Sequence, residues 1–148
     1  MISRLLSASL NFMYLCLCTI AIWPSPEAVE PFLLSAFQEH YRSMFIIIDC
    51  SEIRCEVPSS LPLQSQLYSS YDCNTTMKGL LGITPSRPVS LMSELFTGSI
   101  TDQEILQQSG LPDMLKTLPP GKSLMADKGL DVEDLLAPHG IRVNIPHF

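Results

Sequence analysis

Phe45-Ile46-Ile47-Ile48-Asp49-Cys50-Ser51-Glu52 runs three consecutive isoleucines into an aspartate. Apolar on both faces, this stretch is unsuited to a solvated edge and reads as a central strand covered by helices. A second run, Ser123-Leu124-Met125-Ala126-Asp127-Lys128-Gly129, closes in the same way. Open α/β sheets bind their ligands beyond the carboxyl ends of their strands. Asp49 and Asp127 are therefore both delivered to the place where such a sheet builds a metal site.

The chain has 148 residues, 46% of them hydrophobic and 16% charged, which bounds it to one domain with a real core and excludes a disordered tail. Its net charge of −6 argues against a basic nucleic-acid footprint on the chain itself. Any basic DNA-contacting surface would lie elsewhere. Cys16, Cys18, Cys50, Cys55 and Cys73 are odd in number and lack paired C-x-x-C spacing, so they read as reduced intracellular thiols.

Three readings compete at the amino terminus. Arg4 ahead of the uncharged stretch 5–25 has the outline of a secretory signal over residues 1–23, but Ser7, Ser9, Asn11 and Thr19 dilute it and no clear cleavage pattern follows. The same polar residues weaken a membrane span. The third reading is a packed helix ended by Trp23-Pro24-Ser25-Pro26, after which Ser25 and Pro26 open a second helix from Glu27 to Phe37.

Further along, residues 45–55 read as a strand and 56–66 as a surface connection. Residues 68–71 and 77–84 read as strands, followed by a turn at Pro85-Ser86-Arg87-Pro88 and a strand over 89–96. Thr101 with Glu104 three residues later forms a capping box for a helix over 102–108, ended at Ser109-Gly110. A short helix or turn over 111–118 precedes the strand that ends at Asp127. A short acidic helix over 131–136 and a last strand over 141–146 complete the order. A strand meander followed by alternating helix and strand is the one-dimensional form of an α/β, ribonuclease H-like mixed sheet flanked by helices. In that topology the first strand neighbours the first one after the meander, which brings Asp49 and Asp127 together.

Seven stretches, in order, carry a resemblance: Asn11-Phe12-Met13-Tyr14, Ile22-Trp23-Pro24-Ser25, Ile47-Ile48-Asp49-Cys50-Ser51-Glu52, Lys78-Gly79-Leu80-Leu81-Gly82-Ile83, Gly98-Ser99-Ile100-Thr101-Asp102, Met125-Ala126-Asp127-Lys128-Gly129 and Asn144-Ile145-Pro146. Together they resemble a DDE-type, transposase-derived endonuclease domain of the Harbinger-like group. The resemblance divides the chain into a helical lead-in, 1–44, and a partial endonuclease domain, 45–148. It also favours the lead-in over a signal peptide.

The resemblance implies two-metal chemistry on DNA phosphodiesters, with three carboxylates holding two Mg²⁺ or Mn²⁺ ions about 3.5–4 Å apart. Asp49 matches the first acid and Asp127 the second. The third, a glutamate on a later helix, would fall beyond Phe148. Glu133 lies too close to Asp127 to replace it. The expectation is thus an endonuclease-like domain whose catalytic helix is missing, with little or no nuclease activity of its own and an apolar patch exposed on the sheet. DNA is the implied partner, with a separate DNA-binding protein, no membrane, and the nucleus as the implied location. Two alternatives are a domesticated interaction module that keeps the fold without metal, and a small secreted protein.

Other residues weigh less. Asp102 reads either as a residue behind the metal ligands or as a first-turn aspartate stabilising its helix. Glu52 lies on the strand face opposite Asp49 and reads as a poor ligand. His40, His139 and His147 share no spacing that suggests a metal site, and Lys128 reads as a solvated lysine beside Asp127. Asp72 stands where relatives carry lysine, and Leu130 where they carry an aromatic residue. Asn74-Thr75-Thr76 would accept a glycan only in a secreted chain.

Overall fold

A computed structural model describes residues 2–127, 130 and 132–146. Strand β1 (Met44–Arg54) contains the isoleucine run, and its neighbours on either side are β3 (Asn74–Ile83), antiparallel, and β6 (Ser123–Ala126), parallel. Outside β3 lie β2 (Tyr68–Ser69), β4 (Val89–Met92) and β5 (Phe96–Thr97), while β7 (Arg142–Asn144) runs parallel to β6. The meander on one side of β1 and the parallel pair on the other give the expected ribonuclease H-like mixed sheet.

One sheet face is the core. Ile46 and Ile48 of β1, Leu80 of β3, Leu91 of β4 and Leu124 of β6 are all buried there. They pack in one cluster with Ile105 and Leu106 of α5 (Asp102–Gln108), Leu111 and Leu115 of α6 (Leu111–Leu115), and Leu136 of α7 (Glu133–Leu136). Gly82 sits opposite Ile48 because a Cβ there would lie 2.6 Å from the Ile46 side chain and 2.9 Å from that of Leu91. Leu130, the position expected to be aromatic, also lies in this cluster and is 3% exposed.

The opposite face is open, in keeping with the apolar patch expected on the sheet and at odds with helices covering β1 on both sides. Ile53, Ile83, Val89 and Met92 are exposed there, and Ile47 and Leu81 are only half-buried. The register aligns Ile47 with Ile83, Leu81 with Met92 and Ile83 with Val89, so these side chains form one apolar surface.

The lead-in differs from the expected two long helices. Helix α1 (Ile2–Leu17) ends before Trp23 and contains no buried residue, so it is an exposed helix rather than a packed one. Trp23 itself packs on Phe45, with ring centroids 5.2 Å apart. The second helix is split into α2 (Pro26–Val29), a 3₁₀ turn (Glu30–Phe32) and α3 (Ser35–His40). Pro31 interrupts it, since proline has no N–H to donate and crowds the preceding turn. Ser25 does precede the first helical residue, Pro26, as expected. No described helix is long and apolar enough to cross a membrane.

Three connections also differ from the sequence reading. Where a connection is expected over 56–66, helix α4 (Leu61–Leu67) begins, with Ser60 at its N-cap and Pro62 in its first turn. The strand expected over 89–96 is broken at Ser93–Leu95 because the Ser93 hydroxyl accepts from Leu80 N–H and donates to the Glu94 carbonyl. The acidic helix begins at Glu133 rather than 131 and ends at Leu136, and a 3₁₀ turn (Ala137–His139) follows it to Gly140, whose φ is 68°. The Thr101–Glu104 capping box is present in full.

Candidate metal centre

The β1–β6 ladder pairs Ile48 with Ala126. One step further, Asp49, midway along β1, lies beside Asp127, which follows the carboxyl end of β6. Parallel strands in register project neighbouring side chains to the same face, so the two carboxylates share one mouth of the sheet. Asp49 is exposed, yet its carboxyl is partly enclosed, and this desolvation pushes its pKa above the ordinary carboxylate range. A hydrogen bond from the Cys50 backbone works in the opposite direction, while the charges of Asp127 and Asp102 add to the rise. Like charges placed this close make a divalent cation a favourable neighbour.

The mouth opens into a cleft of about 530 Å³. Its wall is the core face of β1 carried past the core: after Ile46 and Ile48 come Cys50, Glu52 and Arg54. Glu52 and Asp49 alternate on the strand as the sequence requires, but both line the cleft. Glu52 is held firmly. Its carboxylate accepts from Ser69 Oγ at 2.9 Å and Thr76 Oγ1 at 2.8 Å, and Lys78 Nζ lies 3.2 Å away. Burial raises its pKa, but the hydrogen bonds from Thr76, Ser69 and Lys78 outweigh that and hold it low. Its oxygens are already engaged, the physical reason it makes a poor ligand.

Lys78 stands opposite Glu52 in the β1–β3 register and also reaches Asp102 Oδ1 at 3.4 Å. Desolvation lowers its pKa, but the Glu52 hydrogen bond and the two carboxylate charges raise it overall. Asp102 is the first residue of α5, the helix-start position the sequence allowed, and it lines the cleft. Cys50 points into the same region. Burial foremost, then the charges of Asp102 and Asp49, push its thiol up to about 12, so it is a neutral thiol rather than a thiolate ligand.

At the outer end, Arg54 donates to both Asp72 oxygens, at 2.8 and 3.0 Å. The acidic residue at the position expected to be lysine is thus neutralised by its neighbour, a pairing visible only once β1 and the β2–β3 loop are folded together. All five cysteines are free thiols. Among the described residues no cluster of three His, Cys, Asp or Glu side chains is arranged to hold a metal ion. Lys128 and His147 lie outside the described residues.

The open mixed sheet, with Asp49 and Asp127 adjacent on parallel strands, is the arrangement the site presents. The DDE superfamily endonuclease family matches residues 48–144, and the chain belongs to it. The match begins one residue before Asp49 and covers Asp102 and Asp127. No curated protein and no solved structure matches the chain.

Proposed function

We propose that this protein binds a divalent metal ion, Mg²⁺ or Mn²⁺, through Asp49 and Asp127, at a site inherited from a DNA-cleaving transposase. The single observation that carries the reading is the β1–β6 register, whose last pair, Ile48 with Ala126, is followed directly by Asp49 and Asp127. The donors suit the ion, because hard oxygen ligands and retained waters are what Mg²⁺ takes. When bound, such ions activate water or a 3′-hydroxyl and stabilise the oxygen that leaves a phosphodiester.

The residues described here do less than a full endonuclease site. Asp49 and Asp127 orient the cation; Glu52 and Asp102 are tied to Lys78 and leave two carboxylates for it. The chain alone is accordingly a weak metal binder with little nuclease activity. Its DNA contacts come through a separate, basic DNA-binding partner, and the nucleus is its place of action. A second reading, a metal-free interaction module, draws on the open apolar face at Ile53, Ile83 and Met92.

Titration calorimetry with Mn²⁺ separates the two. Heat of binding in the wild type that disappears in the Asp49→Ala, Asp127→Ala double variant supports the metal site. Equal behaviour of the two proteins would sink it and leave the interaction module. Supercoiled-plasmid cleavage with Mn²⁺ tests the second half of the proposal, and turnover abolished by Asp49→Ala would overturn the statement of low activity.

A further inference from the structure

We infer that the open face of the sheet is the seat of helix α1 from a second copy of this chain, in a reciprocal exchange that makes a symmetric dimer. The inference stands apart from the metal-binding reading, since neither Asp49 nor Asp127 takes part in it. It starts from two apolar surfaces that one molecule leaves uncovered. The first is a groove of about 530 Å³ on the open face, walled by Ile53 of β1, Leu81 of β3, Met92 of β4 and Leu95. The second is α1 itself, in which no residue is buried.

Tyr14 of α1 also lines the groove, so the helix already lies alongside it. The side it turns to the groove is its polar one. Residues three and four apart share a side of a helix, which places Ser3, Ser7 and Asn11 with Tyr14. Ile2, Leu5, Phe12 and Cys16 fall on the other side. That side is turned to solvent: Ile2, Leu5 and Phe12 are 84%, 71% and 68% exposed, and the Cys16 thiol is exposed as well. An amphipathic helix held this way offers its apolar side to the groove of another molecule rather than to its own.

The two surfaces match in length and charge. The 16 residues of α1 span about 24 Å at about 1.5 Å each. The open stretch of β1 from Ile47 to Ile53 spans about 20 Å. Glu94 is the charged residue lining the groove, and Arg4 is the charged residue of α1, so the exchange brings opposite charges into one interface. Two helices seated on two grooves cover four surfaces of about 24 by 10 Å, on the order of 1,000 Å², which reaches the size a specific interface needs. A two-fold exchange also closes on itself and leaves neither apolar surface open to a third copy.

Sedimentation at micromolar concentration, with a circular dichroism spectrum for each protein, tests the exchange. The wild type is expected to be a dimer. Leu5→Lys with Phe12→Lys in α1, and Ile53→Lys with Met92→Lys in the groove, are each expected to weaken the dimer by about tenfold or more in Kd. Mixing the two variants is expected to restore part of the association, because the intact helix of one still fits the intact groove of the other. Pairing of helix on helix or of face on face gives no such recovery.

A monomeric wild type would overturn the inference and leave α1 to close on its own sheet. An intact dimer in either variant would overturn it too, as would the absence of recovery on mixing. Should the groove variant fail to fold, the helix variant still decides: association at the wild-type level without Leu5 and Phe12 refutes the exchange, and its loss supports it.

Discussion

Asp49 carries a carboxyl whose ionised form its surroundings disfavour. Its folded pKa is raised, so its stabilising contribution is fully present only below the unfolded value and is lost as pH rises through the folded one. Asp49→Asn should therefore raise Tm at pH 7 in EDTA, with the advantage fading as the pH falls into the carboxylate range; a Tm equal to the wild type across that range would refute it. Glu52 behaves in the opposite sense. Its folded pKa is lowered, so its contribution is present above the unfolded value and is lost as pH falls through the folded one. Glu52→Gln replaces an anion that accepts three hydrogen bonds, and should cost about 2 kcal/mol in urea unfolding at pH 7, with the gap from wild type narrowing in acid. Two carboxylates three positions apart on one strand thus answer to pH with opposite signs, because one is desolvated with like charges nearby and the other is held by donors.

At the scale of elements, the site depends on how closely β5 and the loop after it approach β3. Gly98 makes that approach possible. A Cβ there would sit 2.5 Å from Thr76 Oγ1 and would also run into the Leu67 carbonyl. Thr76 is the hydroxyl that holds Glu52. Gly98→Ala is therefore expected to destabilise the fold by about 2 kcal/mol, as overpacking does, and to loosen Glu52 and Lys78 with it. Thermal unfolding beside Mn²⁺ titration checks both halves, and a Tm within a degree of the wild type would show that the loop can move aside. The elements flanking this loop follow local chemistry: the Thr101 capping box starts α5, and Gly110, with φ of 77°, separates α5 from α6. Local chemistry also explains the elements that differed. Pro31 splits the second helix, and Ser60 with Pro62 opens α4 where serines and prolines had suggested a loop.

For the whole molecule, the main physical fact is the asymmetry of the sheet. One face carries the full core, while the other presents Ile53, Ile83, Val89 and Met92, and α1 adds a second exposed apolar surface. A contiguous apolar face of this kind promotes association. Replacing Ile53 and Met92 with lysine should shift sedimentation toward a monomer and leave stability within about 0.5 kcal/mol, as for other exposed positions. A sedimentation profile identical to the wild type would show that this face drives no association.

Sequence alone settled what local pattern and short-range sterics control. The isoleucine run made β1 central, its terminal aspartate and that of Ser123–Asp127 marked the mouth of the sheet, and capping chemistry placed α5. Those signals are legible because each depends on residues adjacent in the chain. The tertiary structure decided what depends on residues far apart. It fixed the register that pairs Ile48 with Ala126, the step the expected strand order left open between Asp49 and Asp127. It left one face of β1 open, and it brought Lys78 between Glu52 and Asp102. A register or an ion pair across two dozen residues leaves no periodic trace in the sequence, because its energy comes from contacts that exist only after the chain has closed.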